Sequence, residues 1–205
     1  MRGTLFFALT FFAASVAFPV QTHPDGKTHR HSDSEKSRAS LEAEGVDVFV
    51  EPHHTVIQVN GVVCSFCAYG AEKSLSKLDG LDRSEFGNGV LVDIHTQRIT
   101  LAMTPGTEIP IEDIHRRIRK AGYDPVAVYL RIAGTLESVG GNLLLKDAQS
   151  GQLFSIVGSD RSRAVGQSVD VQARVVDDAF ASVNDGAPIP VVVDKWISDS
   201  VDNDE

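Results

Sequence analysis

The sequence predicts an α+β protein, in which a ferredoxin-like β-α-β-β-α-β unit is followed by a small all-β barrel. Two amphipathic helical stretches, separated by two alternating apolar runs, predict the first unit. A series of short apolar runs separated by turn residues, after about residue 130, predicts the barrel. The 205 residues carry a net charge of -9 and no strongly basic block in the folded part, which argues against binding to nucleic acid.

The first 17 residues resemble a secretory signal peptide. Arg2 supplies a positive start, Leu5 to Ala14 form an apolar stretch, and Ser15-Val16-Ala17 resembles a cleavage site. The apolar stretch is shorter than the ~20 residues that span a membrane. An uncleaved anchor is the alternative. We expect cleavage and a periplasmic or secreted protein in an oxidising environment, without stable membrane insertion.

Residues 18–53 are predicted to form a disordered linker, because they are polar and mixed in charge. Within them, Val46, Val48 and Val50 alternate, which allows a short additional strand. Neutral imidazole can bind copper, zinc or nickel, but no fixed ligand spacing is present, so solvated histidines are the simpler interpretation. The histidines concerned are His23, His29, His31 and His53.

The first unit covers residues 54–130, and its elements follow from apolar periodicity. The first helix has one apolar face and ends at Gly80. The second starts near Pro110, with acidic residues in its first turn and basic residues in its last, as the helix dipole favours. The predicted elements are a strand at 55–60, a helix at 65–78, strands at 90–94 and 99–103, a helix at about 110–121 and a strand at 126–132.

The only two cysteines, Cys64 and Cys67, lie where the first predicted strand ends and the first helix begins. Unpaired N–H groups and the helix dipole favour the thiolate at such a position. A thiolate is both the metal ligand and the nucleophile. The pair can therefore bind one soft ion or close into a disulfide.

The first unit resembles the heavy-metal-associated domain of copper chaperones, copper-transporting ATPases and the periplasmic mercury carrier. The resemblance covers less than half of the chain, and Val62 stands where the family usually has methionine. It implies that Cys64 and Cys67 bind metal in an exposed loop, with Tyr123 packed beneath them. Residues 83–89 would be an insertion. The matching residues are Gly61, Cys64, Cys67, Leu78, Gly80, Val92-Asp93 and Ala121-Gly122-Tyr123.

Two thiolates without a fixed third ligand suit a soft ion. Cu(I) is the first choice and Hg(II) the second, whereas structural zinc, which remains possible, usually requires four ligands. The expected partner is a metal-donor or metal-acceptor protein. His95 and His115 are not predicted as ligands, and no catalytic constellation is recognisable, so the sequence does not predict an enzyme.

Besides a plain structural disulfide, which nothing in a strand-to-helix loop demands, two alternatives remain open for the cysteine pair. It could serve a thiol-disulfide oxidoreductase, although the thioredoxin-like element order and its facing cis-proline are missing from the sequence pattern. It could also be incidental in a protein whose role is to bind another protein.

The second unit covers residues 131–198 and is predicted to hold five short strands. Runs such as Leu143-Leu144-Leu145 and Leu153 to Gly158 resemble exported OB-like barrels, a resemblance of low specificity. Phe154, Phe180 and Trp196 are expected to pack in the core. Residues 199–205 are predicted to form an acidic, disordered tail.

Overall fold

The computed structural model describes residues 48–158, 165–175 and 187–199, with the side chains of residues 198 and 199 left out. The predicted signal peptide, residues 18–47 of the predicted linker, Phe180 and residues 200–205 of the predicted tail lie outside this description. Its elements are β1 (His54–Asn60), α1 (Ser65–Leu75), β2 (Val90–Asp93), β3 (Arg98–Ala102), α2 (Ile111–Lys120), β4 (Asp124–Val139), β5 (Asn142–Asp147), β6 (Leu153–Ile156), β7 (Ser168–Val175) and β8 (Ile189–Asp199).

The eight described strands form one sheet, in the order β2-β3-β1-β4-β5-β6-β8-β7. The 16-residue strand β4 is its central member. Its first half pairs with β1 and its second half with β5, while its residues 129–135 pair with β7. Because β6 pairs with β8 and β8 with β7, the strands β4, β5, β6, β8 and β7 close into a ring.

The predicted fold class, a ferredoxin-like unit with a separate barrel, is wrong. One continuous eight-stranded sheet replaces the two units, and the described residues contain only two helices. The predicted boundary between residues 130 and 131 falls inside β4. The physical reason is visible in the strand itself, where the buried positions Val128, Leu130, Ile132 and Leu136 belong to one apolar cluster.

Both helices pack on the sheet through a narrow apolar stripe. In α1 the buried residues are Ala71 and Leu75, and the helix ends three residues before its predicted end at Leu78. In α2 the buried residues are Ile111, Ile114 and Ile118. A single core cluster then runs from the helices through β4 to Phe154 and Val191 in the ring.

Residues 48–50, whose alternation allowed a short strand, pack on the opposite face of the sheet and form no strand. Val48 and Val50 are buried with Val56, and Tyr129 packs against them. The buried amide of Gln172 bonds to both, because its Oε1 accepts from the Val50 N–H at 3.2 Å and its Nε2 donates to the Val48 carbonyl. A side-chain amide thus satisfies two backbone groups that a neighbouring strand would otherwise satisfy.

Residues 83–89, predicted as an insertion, lie between α1 and β2. The Asn88 side chain donates to Glu72 of α1 at 2.6 Å and accepts from the Val90 N–H at 3.0 Å. Leu81 forms an isolated bridge with Met103. The segment is therefore anchored at both ends, well apart in the chain from the cysteines.

Candidate functional site

The cysteine loop, defined as residues 61–67, connects β1 to α1. Gly61 adopts a φ of 100°, a conformation that glycine tolerates and other residues rarely adopt. Its N–H donates to the side chain of Gln97 at 2.9 Å. Val62 is fully buried, while Val63 is 70% exposed. The loop is thus fixed at its start by glycine and by the buried Val62 side chain.

Cys64 is the N-cap of α1. Its backbone is extended and its sulfur accepts a hydrogen bond from the Cys67 N–H at 3.1 Å. Its carbonyl accepts from the Ala68 N–H at 2.9 Å. The sulfur therefore satisfies one of the N–H groups that a helix start leaves unpaired.

A disulfide joins Cys64 and Cys67, whose Cα atoms are 5.1 Å apart. Both residues are partly exposed. The structure accordingly brings the two predicted ligands together at the helix start, in their oxidised form. In this form neither sulfur is a thiolate, so metal binding through them requires reduction first.

Tyr123 lies beneath the cysteine loop. Its hydroxyl donates to the Cys67 carbonyl at 3.0 Å. A Cβ atom added at Gly61 would meet the tyrosine ring at 3.5 Å, and one added at Gly70 would meet its hydroxyl at 3.7 Å. The end of α2, from which Tyr123 follows, is therefore next to the start of α1.

Three apolar side chains around the cysteines face solvent, and we name them the loop patch. Val63 is 70% exposed, Phe66 90% and Tyr69 62%. Lys73 lies over the ring of Tyr69, with its Nζ 5.9 Å from the ring centroid. Large exposed apolar side chains clustered beside a reactive pair are typical of surfaces that bind another protein.

The described histidines form no metal-ligating group with the two cysteines. No group of three or more His, Cys, Asp or Glu able to hold a metal occurs in residues 48–158, 165–175 and 187–199. His95 is exposed in the β2–β3 turn, and the His54 ring contacts Glu85 at 2.9 Å. A closed four-ligand zinc site would need ligands besides the two sulfurs, and the described side chains supply no third one. Thiolates, which the two sulfurs become on reduction, are the ligand type that soft ions favour.

His115 is a partly buried residue of α2. Burial lowers its pKa below the usual value, the Arg119 guanidinium lowers it further, and Asp124 opposes both effects. Arg119 in turn pairs with Asp124 at 2.9 Å. The neutral imidazole is favoured at this position.

Two features of the site were missed by sequence reasoning. Gln97 was not predicted as part of the site, yet it has a φ of 52° and its side chain accepts a hydrogen bond from the N–H of Gly61. The capping role of the Cys64 sulfur was also not predicted. A side-chain acceptor just before a helix start is the signal that could have indicated the second feature.

Comparison of the chain with models of known protein families and with curated proteins finds no match. The resemblance to the heavy-metal-associated domain stays a prediction. No helix within the described residues is long and apolar enough to cross a membrane.

Proposed function

We propose that the protein binds one soft metal ion through the reduced sulfurs of Cys64 and Cys67, with Cu(I) first and Hg(II) second. The observation that carries the proposal is the placement of both sulfurs at a partly exposed helix start, where the described residues supply no third ligand. Soft thiolates select Cu(I), and the helix dipole favours the thiolate form. This role agrees with the resemblance to a heavy-metal-associated domain.

The geometry also supports transfer of the ion, either from a metal-donor protein or to a metal-acceptor protein. A two-sulfur site leaves the ion open to attack by a partner's thiolate, so a shared intermediate can form before the first bonds break. The exposed side chains of the loop patch surround this position and offer apolar contact to such a partner. Buffering of the ion without a partner would use the same site.

A periplasmic or secreted location supplies the context for this role. The disulfide between Cys64 and Cys67 is compatible with an oxidising compartment. Fractionation of cells that express the complete chain, with determination of the N-terminal residue, tests export and cleavage near Ala17.

Metal stoichiometry of the reduced protein is the decisive experiment. Cu(I), Hg(II) and Zn(II) are each offered in competition with a chelator, to the native chain and to Cys64→Ser and Cys67→Ser variants. We expect one Cu(I) per chain, lost in both variants. The His95→Gln variant, whose histidine is exposed in a turn, serves as the matched control and should bind as the native chain does. Absence of thiol-dependent binding of any of the three ions would overturn the proposal.

The disulfide favours thiol-disulfide exchange as the second candidate function. In that reaction a partner's thiolate attacks one sulfur, a mixed disulfide forms, and the second cysteine of the pair leaves as a thiolate. Equilibration of the pair with glutathione buffers measures its reduction potential. A pair that exchanges rapidly with a test disulfide and binds no metal would favour this function over metal binding.

A further inference from the structure

The outer side of α1 carries an exposed stripe that begins in the loop patch. Phe66, Tyr69 and Lys73 follow one another at spacings of three and four residues, so they lie along one side of the helix. Phe66 is 90% exposed and Tyr69 62%. The buried residues of the helix, Ala71 and Leu75, lie on its other side and pack into the core. The stripe therefore points away from the sheet.

The last turn of α2 lies beside this stripe. The Tyr123 hydroxyl donates to the Cys67 carbonyl at 3.0 Å, and Arg117 donates through Nη1 to the Ser74 carbonyl at 3.2 Å. The two helices therefore run antiparallel, with the end of α2 next to the first half of α1. Lys120, the last residue of α2, is exposed. It adds a second positive charge near the aromatic part of the stripe.

The positive charges of Lys73 and Lys120 are not neutralised by any carboxylate in the part of the chain that the structure describes. Lys73 lies instead over the Tyr69 ring, with its Nζ 5.9 Å from the ring centroid. Two exposed carboxylates, Glu112 and Asp79, lie at the opposite end of the two helices, at the start of α2 and after the end of α1. A chain with a net charge of -9 thus presents uncompensated positive charge beside its exposed aromatic rings.

The arginines of α2, by contrast, are neutralised by ion pairs, which join Arg116 and Arg117 to Asp113 and Arg119 to Asp124.

This combination of exposed aromatic rings and lysines fits the headgroup region of a lipid bilayer. Exposed apolar patches mark sites that bind membranes as well as sites that bind proteins. At a bilayer surface the rings reach the boundary of the acyl chains, while ammonium groups contact anionic headgroups. Phe66 protrudes from a helix start with 90% of its surface exposed. A fluid bilayer accepts such a side chain without a complementary pocket, which a protein partner would have to supply.

We propose that the loop patch, together with Lys73 and Lys120, binds the surface of a bilayer that contains anionic lipids. Phe66 and Tyr69 enter the interface, and the two lysines contact the headgroups. The association is peripheral and reversible, because so few side chains bury little apolar surface. In the bound orientation the cysteine loop lies at the bilayer surface. This role goes beyond the proposed metal binding and does not depend on it.

Co-sedimentation with lipid vesicles tests the proposal. The chain is used in the form in which cells accumulate it, with the disulfide intact and no metal added. Vesicles of mixed phosphatidylglycerol and phosphatidylcholine are the anionic probe, and vesicles of phosphatidylcholine alone are the neutral comparison. We expect weak binding to the anionic vesicles, half-maximal at about millimolar lipid. Binding should decline with added NaCl and should be at least about fivefold weaker on neutral vesicles.

Substitutions in the surface should weaken this binding in proportion to what each side chain contributes. We expect a loss of about tenfold for Phe66→Ser and of about fivefold each for Lys73→Gln and Lys120→Gln. Phe49→Ser and Lys146→Gln are the matched controls and should bind as the native chain does. Phe49 is 63% exposed beside the opposite face of the sheet, and Lys146 is exposed on β5. Thermal unfolding verifies that every variant folds.

Tryptophan fluorescence of the Phe66→Trp variant reports whether this position enters the bilayer. The native chain, whose single tryptophan is Trp196, supplies the baseline. We expect the emission of the variant, relative to that baseline, to shift to shorter wavelength with anionic vesicles.

Absence of binding to anionic vesicles, absence of the emission shift, or equal binding by Phe66→Ser and the native chain would each overturn the proposal. Binding to poly-glutamate without binding to vesicles would also overturn it, and would assign the surface to an acidic protein. Because these measurements need neither reduction nor metal, a negative result leaves the proposed metal binding to its own test.

Discussion

The residues that hold the cysteine loop are Gln97 and Tyr123, neither of which is a candidate ligand. Gln97 accepts from the Gly61 N–H at the start of the loop, and Tyr123 donates to the Cys67 carbonyl at its end. Both bonds use backbone groups of the loop, so they fix its path without restricting the two sulfurs. The path of the loop therefore depends on residues that lie 30 or more positions from either cysteine in the chain.

Tyr123→Phe should destabilise the protein by about 1 kcal/mol. The ring contacts with the loop remain, but the hydrogen bond to the Cys67 carbonyl is lost. Urea unfolding measures the change. Tyr69→Phe is the matched control, because Tyr69 of α1 is 62% exposed and its loss of a hydroxyl should change stability by almost nothing. Equal stability of the two variants would show that the Tyr123 hydroxyl does not hold the loop.

The titration of His115 should lower the free energy of unfolding as pH decreases. Its pKa is lower in the folded protein than the unfolded value of about 6.5, because of burial first and Arg119 second. The unfolded chain therefore binds more protons between the two values, and stability falls as pH decreases through this window.

Urea unfolding between pH 5 and 8, together with NMR titration of the imidazole, measures this dependence. His115→Gln removes the titrating group and should flatten the profile within the window. A His115 titration midpoint at or above the unfolded value would contradict the assignment.

Features that depend on residues close together in the sequence were predicted correctly. Features that depend on residues far apart in the sequence were not predicted. Cys64 and Cys67 were predicted as a pair at a helix start, and the structure places them there. The contribution of Gln97 could not be predicted, because it depends on the β2–β3 turn meeting the end of β1 across the sheet. Gln172 is a similar case, since its two bonds join it to residues more than 120 positions earlier.

At the scale of elements, α1 depends on its first residue. The helix has 11 residues, no acidic side chain in its first turn and a glycine, Gly70, in its interior. A short helix of this kind has little intrinsic stability. The cap from the Cys64 sulfur and the burial of Ala71 and Leu75 are its main supports.

Replacement of Cys64 should therefore depend strongly on the substitute. We expect Cys64→Ser/Cys67→Ser to be more stable than Cys64→Ala/Cys67→Ser by about 0.5–2 kcal/mol, because serine can accept the same N–H bond and alanine cannot. Both variants lack the disulfide, so the difference isolates the cap. Urea unfolding gives the two free energies, and equal values would mean that the cap contributes nothing.

The positions of most elements could be predicted from sequence. The strand predicted at 55–60 is observed at His54–Asn60, and the α2 helix lies within its predicted range. Alternation and dipole-matched charges are local signals, which explains this agreement. The end of α1 was predicted too late, because Leu78 is buried and continues the apolar stripe after the helix has ended.

At the scale of the whole molecule, the fold is determined by the shared strand β4. The alternation at residues 126–132 was interpreted as the last strand of the first unit. The apolar residues that follow were assigned to a separate second unit. Which edges a strand pairs with is a non-local property that alternation does not report. The continuous sheet could therefore not be derived from the pattern alone.

Gly134 is one of the positions at which β4 pairs on both edges, here with Asp147 of β5 and Val169 of β7. A Cβ atom added there would lie 2.0 Å from the Lys146 carbonyl oxygen, so the backbone would have to move. Gly134→Ala should destabilise the protein by about 3 kcal/mol.

Thermal and urea unfolding measure this loss. Gly70→Ala is the matched control, since its Cβ would make only ordinary contact with the Tyr123 hydroxyl. It should stabilise the helix by up to about 1 kcal/mol. A stable Gly134→Ala chain would show that β5 can separate from β4 without loss of the fold.

The shared strand has a consequence for the order of folding. During synthesis β1 to β3 emerge before β4, so the first half of β4 finds its partner at once. Residues 129–135 of β4 gain their pairing with β7 only when β7 has been synthesised, about 40 residues later in the chain. Until then one edge of a long apolar strand is open, and pairing with another chain competes with closure of the ring. The interval between these two events is therefore when the growing chain is most prone to aggregate.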